Sequence, residues 1–238
     1  MAEQKLVWII GGSGAIGFAC ATLLAEHGYS LALSGREEKK LNDTVSSNSI
    51  KNTSVLAAPC DIASIEQVAG AYKAIVDHFG KAPDVLINSA GISPWSTFSE
   101  TTTQEFDAVM NVNLRGMFLT TSTVLPDMYA RRSGTIVQVL SVAAIQPFKK
   151  GAAYIASKYG ARGLTNALRE EARAYGVRVI GIIPGATETE IWSEDDRARY
   201  HSRMMQPEDV AQAILAAILE PIRAVMEEII LRPLEGDI

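Results

Sequence analysis

Apolar residues fall along this chain in short dense runs that alternate with stretches of helical spacing. The runs cover 6–10, 30–33, 55–58, 84–87, 135–140, 177–183 and 228–231. Most lack polar alternation, the pattern of parallel strands covered on both faces. Between them, Ile65, Val68, Ala69, Tyr72, Val76 and Phe79 mark one apolar helical stripe. Val210, Ala213, Ile214, Ala217 and Ile218 mark another, opened by Pro207 with Glu208 and Asp209 in its first turn. No repeat, low-complexity tract or linker breaks the order. The alternation predicts an α/β fold: one domain over 1–238, a doubly wound parallel sheet of about seven strands with right-handed crossovers and helices on both faces. Ligands of such sheets bind beyond the carboxyl ends of the strands, so the residues directly after each strand carry the functional argument.

Composition narrows the partners. At 47% hydrophobic and 21% charged over 238 residues, the chain can bury a core without staples. Its 22 basic against 27 acidic side chains, net −5, argue against nucleic acid as the main partner. Cys20 and Cys60 form no C-x-x-C pair, and His27, His78 and His201 lack ligand spacing, so neither a disulfide framework nor a metal site is called for. A reducing, cytoplasmic setting fits. The uncharged run 6–25 imitates a membrane span or a leader, with Ala19-Cys20-Ala21 as a mock cleavage site. Gly11-Gly12-Ser13-Gly14 interrupts it, and each helix-interior glycine costs about 1 kcal/mol against alanine. A turn between a buried strand and a helix explains that run better, and a soluble chain without a membrane partner is expected.

That turn is the first chemical signal. Gly11-Gly12-Ser13-Gly14-Ala15-Ile16-Gly17 follows the first strand and leads into a helix. Glycines let backbone approach a pyrophosphate, and the helix N-terminus offers free N–H groups and the positive end of its dipole. This is a Rossmann-like dinucleotide signature. The second strand ends at Ser34-Gly35-Arg36, with glycine where an NAD site commonly has an acid for the ribose 2′-OH. Arg36 can pair with a 2′-phosphate instead, with added hydrogen bonds from Ser13 and Ser34. NADP(H) is the preferred cofactor. Glu37 and Glu38 beside Arg36 keep NAD(H) open.

Tyr154 and Lys158 stand four residues apart, on one helix face. A fixed cation near a phenol favours the phenolate and brings proton transfer toward neutral pH. At this point the chain resembles the short-chain dehydrogenase/reductase family of the classical type over about 5–231. The family's Y-x-x-x-K matches Tyr154 and Lys158, and its T-G-x-x-x-G-x-G matches 10–17, with Ile10 and Ala15 as departures. N-N-A-G appears as Asn88-Ser89-Ala90-Gly91, and the adenine-contacting Asp matches Asp61, followed by Ile62. P-G-x-x-x-T matches Pro184-Gly185-Ala186-Thr187-Glu188-Thr189.

The resemblance implies a catalytic tetrad of Asn113, Ser141, Tyr154 and Lys158. It implies cofactor contacts from Gly11, Ser13, Gly14, Ile16, Gly17, Arg36, Asp61, Ile62, Asn88, Ala90, Gly91, Tyr154, Lys158, Pro184, Gly185, Thr187 and Thr189. Tyr154 would exchange a proton with the substrate oxygen, Ser141 would orient that oxygen, and Asn113 would brace a helix and a relay water. Lys158 would hold the nicotinamide ribose and depress the Tyr154 pKa.

Substrate-bordering segments are expected at 92–98, 142–150 and 186–206, the last as a mobile lid. Their apolar members, including Trp95, Phe148 and Trp192, suit a small-molecule carbonyl or alcohol better than a highly charged metabolite. Similarity to 3-oxoacyl-[acyl-carrier-protein] reductases leaves an acyl thioester open, with Lys149-Lys150 and Arg131-Arg132 as candidate carrier-docking charges. The family also implies a homotetramer or homodimer. Helices at roughly 102–131 and 153–175 would pair through Val109, Met117, Phe118, Leu164, Ala167 and Leu168. A non-catalytic NADP(H)-sensing regulator on the same fold is the other reading.

Overall fold

The computed structural model describes residues 4–50, 53–236 and 238. Seven strands form one parallel sheet: β1 Leu6–Ile10, β2 Ser30–Ser34, β3 Val55–Ala57, β4 Val85–Asn88, β5 Gly134–Val139, β6 Val177–Pro184 and β7 Glu228–Leu231. Their order, β3-β2-β1-β4-β5-β6-β7, reverses direction between β1 and β4. A crevice opens at that switch point, above the carboxyl ends.

The pleat sends alternate residues of each strand to opposite faces. Val7 and Ile9 of β1 join Leu31, Leu33, Ile87 and Ile180 in one apolar layer. Over it lie α1 (Ala15–Glu26) and α8 (Pro207–Leu219), with Cys20, Leu24, Val210 and Ile214. Leu6, Trp8 and Ile10 face the other way, with Leu86, Ile136 and Val179. That layer is closed by α3 (Ile65–Phe79), α5 (Met117–Ala130) and α6 (Ala152–Ala172). Burial on both faces is why the strands read as unbroken apolar runs. Among the described residues, no helix is long and apolar enough to cross a membrane.

Some boundaries and faces differ from expectation. The α8 stripe is buried at Val210, Ile214, Ala217 and Ile218, with Ala213 half-buried, and its start carries a capping box between Gln206 and Asp209 with Pro207 in the first turn. In α3, however, the buried face is Val68, Ala71 and Ile75, with Tyr72 and Phe79 partly covered, while Ile65 and Ala69 face solvent. The true stripe starts one turn inside the helix because Ser64 caps it at the surface, accepting from the Gln67 N–H. Strand β5 ends at Val139, leaving Leu140 and Ser141 to the loop.

The expected helix over 102–131 is interrupted. It comprises α4 (Thr103–Met110), a π-helical turn Asn111–Gly116 and then α5. Wide turns of this kind often mark functional sites. Gly116 sits on its inner side, where a Cβ would stand 2.7 Å from Ile62 Cγ1. Val109 and Met117, expected at a subunit interface, are core residues, whereas Phe118 and Ala167 point outward. The segment 186–206 carries a short helix, α7 (Glu194–Tyr200), capped by Ser193. It stands near α2 (Glu38–Val45), which follows the second strand.

Candidate active site

A cleft of about 970 Å³ runs along the carboxyl ends of the strands. At one end, Gly11 and Gly12 donate to the Ser34 carbonyl at 2.8 and 3.0 Å, tying the turn after β1 to the end of β2. Gly11 has φ +77°, and a Cβ there would stand 2.8 Å from the Ala90 nitrogen. A Cβ on Gly17 would collide with the Gly11 carbonyl oxygen. Only glycine permits this close packing, which aims the first N–H groups of α1 into the cleft. Ser13, Gly14 and Ile16 line the same end, and Asp61, Ile62, Ala90 and Gly91 line the neighbouring wall. These walls fit the pyrophosphate and adenosine of a dinucleotide: a glycine cradle, a helix N-terminus and an acid at the strand edge.

The end of β2 shows how the fold sorts neighbours. A Cβ on Gly35 would meet Leu41 Cδ1 at 2.8 Å and Ser13 Oγ at 3.3 Å, so the serine hydroxyl and the glycine share one small space. Arg36, Glu37 and Lys40 of the following turn and α2 line the cleft beside it. Ser34, expected to reach a 2′-phosphate, does not. It is fully buried, donating to the Ala58 carbonyl at 2.6 Å and accepting from Trp8 Nε1 at 2.8 Å. Its pleat position points it inward, where it ties β1, β2 and the end of β3 together.

At the other end lie the residues expected from sequence to form a tetrad. Tyr154 and Lys158 project from the first turns of α6, one turn apart, and both line the cleft although they are almost wholly buried. Ser141, in extended backbone before a 3₁₀ turn, lines it too and accepts from the Ala143 N–H at 3.1 Å. Burial pushes the Tyr154 phenol up, and a side-chain hydrogen bond with Ser141 opposes that rise. Lys158 Nζ donates to the Val139 carbonyl at 3.0 Å and lies 5.6 Å from the Tyr154 ring centroid. Burial lowers its pKa to about 8. In this geometry burial governs the phenol and the Ser141 hydrogen bond opposes it, with the Lys158 ammonium beside the ring.

Asn113 lies just beneath the cleft, in the π turn. Its Oδ1 accepts from the Ile92 N–H at 2.9 Å, while Nδ2 donates to the Ile92 carbonyl at 2.9 Å and to Ser157 Oγ at 3.0 Å. Ser157 in turn donates to the Tyr154 carbonyl at 2.7 Å. The carboxamide therefore clamps the loop after β4 to α6. Ser157 is a member of this chain of contacts that sequence reasoning missed; its signal was its place one residue before Lys158 on the same helix. Gly91 completes the floor: a Cβ there would stand 3.4 Å from Asn113 Oδ1 and 3.7 Å from Lys158 Nζ.

Pro184, which ends β6, and Gly185, Thr187 and Thr189 after it line the cleft. Asn88 does not line it. Its side chain faces a buried network, accepting from Thr120 at 2.8 Å and donating to Gln138 at 2.9 Å and Thr121 at 3.2 Å. It joins β4, β5 and α5 underneath the site. Arg131 and Arg132 lie at the opposite, amino-terminal end of the strands. Arg131 donates to the carbonyls of Ala82, Pro83 and Ser133, and Arg132 to that of Ala174. Neither can serve as a docking charge beside the pocket. Lys149 does line the cleft. A further pair unforeseen from sequence spans its mouth: Lys40 Nζ lies 3.6 Å from Glu190 Oε1.

A family model described as short chain dehydrogenase matches residues 5–199. The chain belongs to the short-chain dehydrogenase/reductase family. As a member, it is 36% identical over 208 residues to a sepiapterin reductase of Chlorobaculum tepidum, covering 87% of this chain and 79% of the relative. A metagenomic short-chain oxidoreductase solved in complex with NADP superposes with a TM-score of 0.84 at 27% identity, covering 96% of each chain. An actinorhodin polyketide ketoreductase solved with NADPH superposes at 0.87 with 26% identity, covering 97% of each chain. This short-chain dehydrogenase/reductase is thus an oxidoreductase, as those relatives are.

Proposed function

We propose that the protein reduces a small carbonyl compound with NADPH, Tyr154 delivering the proton. What carries this reading is the convergence of Ser141, Tyr154 and Lys158 on one wall of a cleft whose far end presents Ser13, Gly35 and Arg36. The dinucleotide, when bound, supplies the hydride. The chain's own part is orientation and proton handling. Ser141 Oγ donates to the substrate oxygen and holds it toward the phenol. Burial keeps Tyr154 protonated at neutral pH, as a proton donor in reduction must be, and the Ser141 hydrogen bond opposes the rise that weakens it as an acid. Lys158, fixed by the Val139 carbonyl, offers its other N–H donors to the ribose hydroxyls. Asn113, spent on Ile92 and Ser157, keeps α6 and the loop after β4 in register.

At the far end, Gly35 puts no carboxylate at the end of β2 and lets Ser13 approach it, and Arg36 supplies positive charge for a 2′-phosphate beside Glu37 and the Lys40–Glu190 pair. The active form is a homo-oligomer in this reading. Its support is the outward exposure of Phe106, Phe118 and Tyr159 on α4, α5 and α6, at 41%, 50% and 44%. Tyr154→Phe tests the proposal. It removes the proton donor while keeping the ring, so carbonyl-dependent NADPH oxidation should fall roughly 10²–10⁴-fold with NADPH affinity nearly unchanged. A variant retaining more than a tenth of the activity would take Tyr154 out of the mechanism. NADPH binding without turnover of any carbonyl compound, in the unmodified protein, would favour a sensing role instead.

A further inference from the structure

Three aromatic residues from three separate loops meet at the cleft that Ser141 and Tyr154 also line. Trp95 follows β4, Phe148 follows β5 and Trp192 follows β6, and all three line the cleft. Trp95 stands in the middle. Its ring centroid is 5.6 Å from that of Phe148 and 5.3 Å from that of Trp192, with planes tilted by 31° and 34°. Its Nε1 donates to the Ile191 carbonyl at 3.2 Å, which fixes the indole's orientation.

Trp95 remains 44% and Phe148 38% exposed, at the cleft, so a large aromatic surface is left to water. Centroids this close with shallow tilts make the three rings a tilted stack along the cleft, and ligand rings favour offset or edge contacts with the parts left exposed. We propose that this protein selects planar aryl carbonyl compounds, laying the substrate's aromatic ring against the wall of Trp95, Phe148 and Trp192. The selection rests on the reductase reading above, since it assumes that the carbonyl beside the ring sits at Ser141 and Tyr154. A saturated ring of equal size presents no flat π-face and projects axial hydrogens, so it gains burial but not the ring–ring contact. Each such contact is worth about a two- to twelvefold preference.

The test compares 1-phenyl-1,2-propanedione with 1-cyclohexyl-1,2-propanedione. kcat/KM is measured with NADPH, and Kd by calorimetry on the NADP⁺-loaded protein, where no reduction can occur. The phenyl compound should be favoured about five- to fiftyfold in both readouts. Trp95→Leu and Phe148→Leu should each cut that ratio at least about twofold, with thermal melting used to confirm that both variants fold. A ratio below two in the unmodified protein overturns the inference, as does an undiminished ratio in both variants. If neither compound is turned over, the Kd ratio still decides whether the wall selects aryl groups, while the reductase reading falls only if no other carbonyl compound is reduced either.

Discussion

Replacing Lys158 by methionine should make the protein more stable while disabling it. The ammonium is almost wholly buried, and burial lowers its pKa from an ordinary 10.5 to about 8. At roughly 1.36 kcal/mol per pKa unit, keeping that charge at neutral pH costs the folded state about 3 kcal/mol. Methionine fills a similar volume without charge. The substitution forfeits the bond to the Val139 carbonyl, a charged-group hydrogen bond worth about 1.5–3 kcal/mol at most. The net gain is then about 1 kcal/mol, or a Tm rise of roughly 2–4 °C for a chain of this size.

The sign follows from proton binding. Below pH 8 both folded and unfolded lysine are protonated, and the full cost is present. Between about 8 and 10.5 only the unfolded state holds the proton, so stability of the unmodified protein rises with pH across this window. The advantage of Lys158→Met should therefore be seen at pH 7 and shrink or reverse by pH 10. Differential scanning calorimetry on nucleotide-free protein at the two pH values measures it. A lower Tm for the variant at pH 7 together with an unchanged difference at pH 10 would refute the reasoning, because the lysine would then not be a buried charge under strain.

Other outcomes follow from the same geometry. Arg36→Ala should weaken NADPH binding about ten- to a hundredfold, from a lost charge-assisted bond of about 1.5–3 kcal/mol, and NADH binding much less; fluorescence titration of both nucleotides gives the ratio, and an unchanged ratio removes Arg36 from phosphate recognition. Ser34→Ala should leave that ratio untouched but lower Tm, since its hydroxyl serves Trp8 and Ala58 rather than the ligand. Light scattering at micromolar concentration should show a dimer or tetramer, and Phe118→Glu should shift it toward the monomer; a monomer mass for the unmodified protein would end the oligomer proposal.

The chemistry-bearing motifs were legible because each is local. A glycine-rich turn after an apolar run, or a phenol and an amine four residues apart on a helix, states its own geometry through backbone sterics and helical spacing. The doubly wound sheet was equally legible, since strands buried on both faces must be apolar throughout. What the sequence left open depends on partners far away along the chain. Asn88 and Ser34 each end a strand at the cleft, yet the pleat turns them into buried networks with Gln138, Thr120 and Trp8, and only strand pairing and register decide that direction. Arg131 and Arg132 carry the same charge as Lys149 but cap the far end of the sheet. The π turn around Asn113 has no period of its own in the sequence; Gly116 lies against Ile62 there, and the carboxamide ties Ile92 to Ser157. The wall of Trp95, Phe148 and Trp192 exists because three loops end at one edge of one sheet, a meeting set by strand order. Residue type and local spacing thus determined the parallel sheet, the glycine turn and the one-turn spacing of Tyr154 and Lys158, while long-range packing decided which neighbouring side chains face the cleft and which hold the fold.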